Sequence, residues 1–197
     1  MTVHASTKRT LERPLEQAEI PGSMMTKFAA KAIAVMRMAT GFVFLWAFLD
    51  KMFGLNYSTP SERAVINGGS PTNGFLSNVE VGPFQSMFHS MAGTWWCDLL
   101  FMGGLLGLGL ALVLGVGLRI AAVGGTIMMA MMWLAEWPLA QHTATGDPSG
   151  STNPIVDYHV IYALAMIVAA ATYAGHTWGL GKIWGHISYV RRHHWLL

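Results

Sequence analysis

Asp50, Glu136 and His159 are the groups in this sequence best suited to exchanging protons with a bound molecule. Carboxylic acids and imidazoles do that work when a reacting oxygen gains or loses a proton. Near them stand Tyr158, Tyr162, Asp157 and Trp133, which can hydrogen-bond a carbonyl oxygen or pack on a flat ring. All of these fall at or near the ends of apolar runs. The runs decide whether they meet.

The chain has 197 residues, 53% hydrophobic and 11% charged, whereas a soluble domain carries about 25% charged residues. A membrane protein is therefore expected. Four apolar runs, at about 32–53, 99–118, 120–137 and 155–178, are each close to the roughly 20 residues that cross a bilayer. The predicted fold is all-α, an integral membrane four-helix bundle over 32–180. A polar N-terminal segment (1–31) precedes it and a basic tail (181–197) follows. Residues 1–27 lead into the first span without a small-residue cleavage site, so no cleavable signal is expected. Asn153 and Pro154 read as the N-cap and first residue of the fourth span. The first two spans are separated by a long outer loop of roughly 40 residues, too many for a simple turn. That loop carries turn signals at 67–69 and 73–74 and a short helix, Pro83 to Met91, expected to cap one mouth of the bundle.

With four spans, both termini share a side. That side holds Lys8, Arg9, Arg13, Lys27, Lys31, Arg119, Lys182, Arg191 and Arg192, and the opposite loops hold Arg63, with Lys51 at the membrane edge. Positive charge stays inside, so the termini are predicted to be cytoplasmic and the location a bacterial cytoplasmic membrane. Trp46, Trp95, Trp96, Trp133 and Trp137 then fall at the outer interface, and Trp178 and Trp184 at the inner one.

This topology gathers Asp50, Lys51, Cys97, Asp98, Glu136, Asp157 and His159 at the outer end. Asp98 and Asp157 open their helices, where the dipole favours a carboxylate by about 0.3–1 kcal/mol. Asp50 and Glu136 close theirs, where it opposes one, so they need a cation, a donor or a proton. His159 is either a proton-transfer group or a hydrogen-bonded interface residue. Asp157 stands about 200° around the helix from it, so no tight pair between the two is expected. Tyr158 and Tyr162 are either an aromatic-belt pair or ligand contacts. Arg37 either snorkels to the inner headgroups or pairs inside the bundle.

Haem is not expected, because no two histidines face each other from embedded helices, and a metal site is unsupported on similar grounds. A single cysteine, Cys97, excludes an internal disulfide or a thiolate cluster. It is either a small buried hydrophobe or a sulfur carrier. Nucleic-acid binding has no support beyond the basic tail, which reads as a membrane-proximal anchor. Gly103, Gly107, Ala111 and Gly115 form a smooth ridge on the second span, and Ala122, Thr126 and Ala130 recur at the same spacing on the third. Close mating of these two spans is predicted.

Arg37 with GFVFLWAFLDKMFG (41–54), INGGSPTNGFL (66–76), LFMGGLLGLGLALVLGVGLRIAA (100–122), WLAEWPLA (133–140), NPIVDYHVIYAL (153–164) and GHTWGLG (175–181) together resemble the DoxX/DoxD family of small four-span membrane proteins. That family includes the membrane subunit of archaeal thiosulfate:quinone oxidoreductase. The resemblance covers roughly residues 32–185 and implies a bundle tied to sulfur or redox metabolism. It leads to three readings. The first is a subunit of a quinone-linked oxidoreductase, with quinone (menaquinone or similar) as ligand and Glu136, Asp50 and His159 exchanging its protons. Tyr158 or Tyr162 would then hydrogen-bond a carbonyl, and a membrane or peripheral redox partner would bring the electrons. The second is a non-enzymatic accessory subunit of a respiratory or redox complex. The third is a small-solute transporter acting as a homo-oligomer. In all three the lipid bilayer is the surrounding partner.

Overall fold

The computed structural model describes residues 25–196, which are mostly helical and contain no β-strand. Lys8, Arg9 and Arg13, used above for orientation, lie outside the described residues. Three helices are long and apolar enough to cross a membrane: α1 (Lys27–Phe53), α4 (Trp95–Leu114) and α5 (Leu118–Glu136). Between α1 and α4 run two 3-10 turns and the short helices α2 (Asn73–Leu76) and α3 (Gln85–Met91). After α5 come α6 (Tyr158–Ala171), a 3-10 turn at Ala174–His176, α7 (Gly181–His186) and α8 (Ser188–Arg192).

The fourth run is shorter as a helix than its composition suggests. α6 has 14 residues, about 21 Å at 1.5 Å per residue. Its start is also not at Pro154. Asn153 Oδ1 accepts from the amides of Ile155 and Val156 in a local turn, and the N-cap is Asp157, in extended backbone.

α1 packs on α4 through glycine. A Cβ on Gly41 would stand 2.7 Å from Leu112 Cβ, and one on Gly109 would stand 2.8 Å from the Leu45 amide nitrogen. Backbones can approach this closely only where side chains are missing. α5 packs on α6 with Met166, fully buried, over Gly125. Phe44, Leu105, Leu112, Met129, Met166 and Ala169 form the core between these helices.

The predicted ridge does not mate with α5. Gly103 and Gly107 have no atom within 4 Å of where a Cβ would be. The two helices are joined by a tight turn with Gly115 and Gly117 at positive φ. They then splay and leave a groove of about 790 Å³. The smooth face of α4 is a groove wall, and the contact face is the one carrying Gly109.

Arg37 does not snorkel. Its side chain is buried, and its guanidinium donates to the carbonyls of Leu112, Val113, Thr177 and Trp178. The last turn of α4 is thereby fully accounted for. Ala111 O accepts from Gly115 and Val116, Leu112 and Val113 accept from Arg37, and Leu114 O accepts from Leu180. Helix ends buried without such partners are costly.

Candidate functional site

Four carboxylates cluster at the end of the molecule where α1 and α5 finish and α4 and α6 begin, and the structure gives them different tasks. Asp50 is 1% exposed. Its partners come from the chain that follows α1 rather than from a neighbouring helix. The chain turns back at Gly54, and Asp50 accepts from the Tyr57 amide (3.2 Å), the Ser58 amide (2.9 Å) and the Ser58 hydroxyl (2.7 Å). Asp50 is therefore the anchor of the 55–59 loop. An Asp50→Asn variant should lose about 1.5–3 kcal/mol, the usual worth of hydrogen bonds to a charged group. Faster hydrogen exchange at Tyr57 and Ser58 should accompany the loss, and wild-type protection there would refute the assignment.

Asp98 is likewise structural. Its Oδ1 accepts from the Ser70 hydroxyl, the Thr72 amide and the Thr72 hydroxyl, the last at 2.6 Å. This pins the connection between α1 and α4 to the first turn of α4. Cys97 beside it is buried against Leu76, Val79, Phe88 and Ala135.

The remaining two acids meet the histidine. Asp157 Oδ1 caps α6 through the amides of His159 and Val160, and Oδ2 lies 2.8 Å from His159 Nδ1. The sequence expectation of no close Asp–His pair is overturned for a simple reason. The 200° separation holds between helical residues, whereas Asp157 is the cap, with extended φ and ψ that turn its carboxylate back over the first turn. Glu136 ends α5, directly before Trp137, which breaks the helix at φ 43°. It accepts from the Tyr158 hydroxyl at 2.5 Å, and its Oε1 lies 4.0 Å from His159 Nε2. The Tyr158 and His159 rings lie with centroids 4.0 Å apart.

Of the other expected ligand contacts, Trp133 donates its indole N–H to Ile155 O and thereby ties α5 to the segment before α6. Tyr162 packs its ring edge-on to Phe44 and Tyr158. Neither faces the groove. The groove described above lies between α4 and α5.

That groove is lined by Leu100, Phe101, Gly104, Gly107, Leu108 and Ala111 from α4. Facing them on α5 are Ile120, Gly124, Ile127, Met128, Met131 and Met132. Its charged lining residues are Lys51 and Glu136, and Thr72 and Phe88 line it from the connection between α1 and α4. Lys51 forms no ion pair with any described carboxylate, because Asp50 is turned toward its own loop. In the sequence Lys51 reads only as a membrane-edge charge. The available signal was a cation beside an acid that needed donors of its own. Glu136 thus belongs to both features, the groove wall and the Tyr158–His159–Asp157 cluster. No protein-family model, curated protein or solved structure matches the chain.

Proposed function

We propose that this chain is the membrane subunit of a quinone-linked oxidoreductase and that the groove between α4 and α5 receives the quinone. The observation that carries this reading is the polarity of the groove. A groove of about 790 Å³ with mostly apolar walls has its charged residues, Lys51 and Glu136, on the lining with Thr72. Sites for small ligands have this composition, mostly apolar with a few polar groups that fix orientation, and volumes of about 300–1,000 Å³. A flat headgroup with a carbonyl on each of two opposite edges suits a fixed cation at one edge and a proton donor at the other. The Lys51 ammonium donates to one carbonyl, and Glu136, braced by Tyr158, hands a proton to the other carbonyl oxygen as the quinone is reduced and is reprotonated from water. The tail follows the glycine face toward Gly117.

The membrane setting of the proposal is a four-helix bundle in a bacterial cytoplasmic membrane, with α6 and its flanking turns as the fourth crossing. The lysine and arginine bias supports termini on the cytoplasmic side. Reduction of the quinone takes two electrons and two protons to give the quinol. The electrons come from a reduced sulfur compound such as thiosulfate, oxidised on a partner protein, which is the chemistry the DoxX/DoxD resemblance favours.

The test is photolabelling of the purified chain in nanodiscs with an azido-menaquinone, with the labelled peptides mapped. Label on residues 100–111 and 120–132 is expected, with affinity lowered about 10–100-fold by Lys51→Met or Glu136→Gln, since a lost charge-assisted hydrogen bond is worth about 1.5–3 kcal/mol. Label elsewhere, or affinity indifferent to both changes, removes the reading. A second reading draws on the open Gly103–Gly107 face, which also suits a partner's transmembrane helix. The chain would then be an accessory subunit, and a partner recovered in mild detergent would shield that face from label.

A further inference from the structure

His159 is placed to do more than fill an interface. The side chain is 1% exposed, and its buried Nε2 has no hydrogen-bond partner among the described residues. Nδ1 is committed to Asp157 Oδ2 at 2.8 Å. In the neutral ring that bond puts the proton on Nδ1 and leaves a lone pair on Nε2. The group facing that lone pair is the Glu136 carboxylate, 4.0 Å away, which offers lone pairs of its own. Glu136 Oε1 already accepts from the Tyr158 hydroxyl, whereas the buried Nε2 has no donor, and a cation between the two would satisfy it. Glu136 and Asp157 supply two formal negative charges, and neither pairs with a described lysine or arginine.

We infer that His159 Nε2 and the Glu136 carboxylate bind a divalent first-row transition-metal ion, with Asp157 holding the imidazole for it. Ligating histidines commonly give their other ring N–H to a carboxylate, which fixes the tautomer and the ring's direction. The Asp157–His159 bond has that form. One ligand atom each from Glu136, Asp157 and His159 can be chosen within 4.8 Å of one another. Nitrogen and oxygen atoms bound at about 2.0–2.2 Å to one ion stand about 3–3.6 Å apart, so the 4.0 Å gap must close by about 0.4–1 Å. Glu136, 34% exposed, can make that movement by side-chain rotation. Its exposed side leaves positions for solvent oxygens. An imidazole among the donors favours the zinc, manganese and iron class over calcium or magnesium, which prefer all-oxygen shells. The inference goes beyond the quinone reading and does not rest on it.

Cobalt(II) is the probe, because it reports nitrogen and oxygen coordination in the visible spectrum. The full chain, purified in detergent and stripped with a chelator, is titrated with Co²⁺ by absorption and calorimetry. One equivalent with a saturable visible band is expected. Glu136→Gln, at a residue one-third exposed, should weaken binding at least tenfold with helical content unchanged by circular dichroism. Asp157→Asn preserves a capping side chain and should weaken it about 10–100-fold. His176→Gln, at the opposite end of α6, should leave binding as in the wild type. Absence of the band, or Co²⁺ held equally by wild type and Glu136→Gln, overturns the inference and leaves a proton as the shared charge.

Discussion

Arg37→Met is expected to cost at least about 3 kcal/mol and to collapse the end of the molecule where α4 meets the 175–180 segment. The reason lies in what the guanidinium holds. It is fully buried, with Nη1 on the carbonyls of Leu112 and Val113 and Nη2 on those of Trp178 and Thr177. Two of these acceptors belong to the last turn of α4, where carbonyls have no helical partner and the dipole is negative. Methionine has a similar shape and no donor, so up to four carbonyls lose their partner at about 1–3 kcal/mol for each that stays buried. Lysine should rescue little, because a single ammonium cannot reproduce the planar fork. Thermal unfolding followed by circular dichroism in detergent would measure the loss. A melting temperature within error of wild type would mean that the guanidinium is dispensable.

Gly109→Ala and Gly41→Ala are each expected to destabilise by about 1–3 kcal/mol or more, the usual range for overpacking a tight contact. The atoms they would strike include backbone: the Leu45 amide for Gly109 and the Val113 amide for Gly41, each at 2.8 Å. A methyl group there can be admitted only by moving α1 and α4 apart along their whole contact. Gly107→Ala is the contrasting case. Its added carbon has nothing within 4 Å, so it should be neutral or gain about 0.5–1 kcal/mol from lower chain entropy. The three variants can be ranked in one unfolding series. If Gly107→Ala falls as far as Gly109→Ala, the groove is closed in the protein and the contact face has been misassigned.

The two glycine faces also show where pattern reading stops. Gly107 and Gly109 are two residues apart and so about 200° around the helix. The four-residue repeat from Gly103 to Gly115 marks the smoother face, yet smoothness serves a packed helix and an open groove equally well. Which face receives α1 depends on Gly41, sixty-odd residues earlier in the chain, and on the connection before α4 that sets Thr72 and Phe88 against the groove.

Local sequence was sufficient for the three long helices, the short helix after Pro83, the long connection before α4 and the gathering of acids at one end. Each of these follows from apolar run length, turn residues or charge position within one stretch of chain. The fates of those acids were decided by tertiary structure. Asp50 looked stranded because helix-end reasoning sees the dipole and not a returning loop whose amides and hydroxyl close on it. Asp157 looked turned away from His159 because angular spacing assumes helical backbone, and the cap residue is the one place where that assumption fails. Helix periodicity describes the inside of a segment, whereas the chemistry here sits at segment ends, where backbone direction is set by contacts from distant parts of the chain.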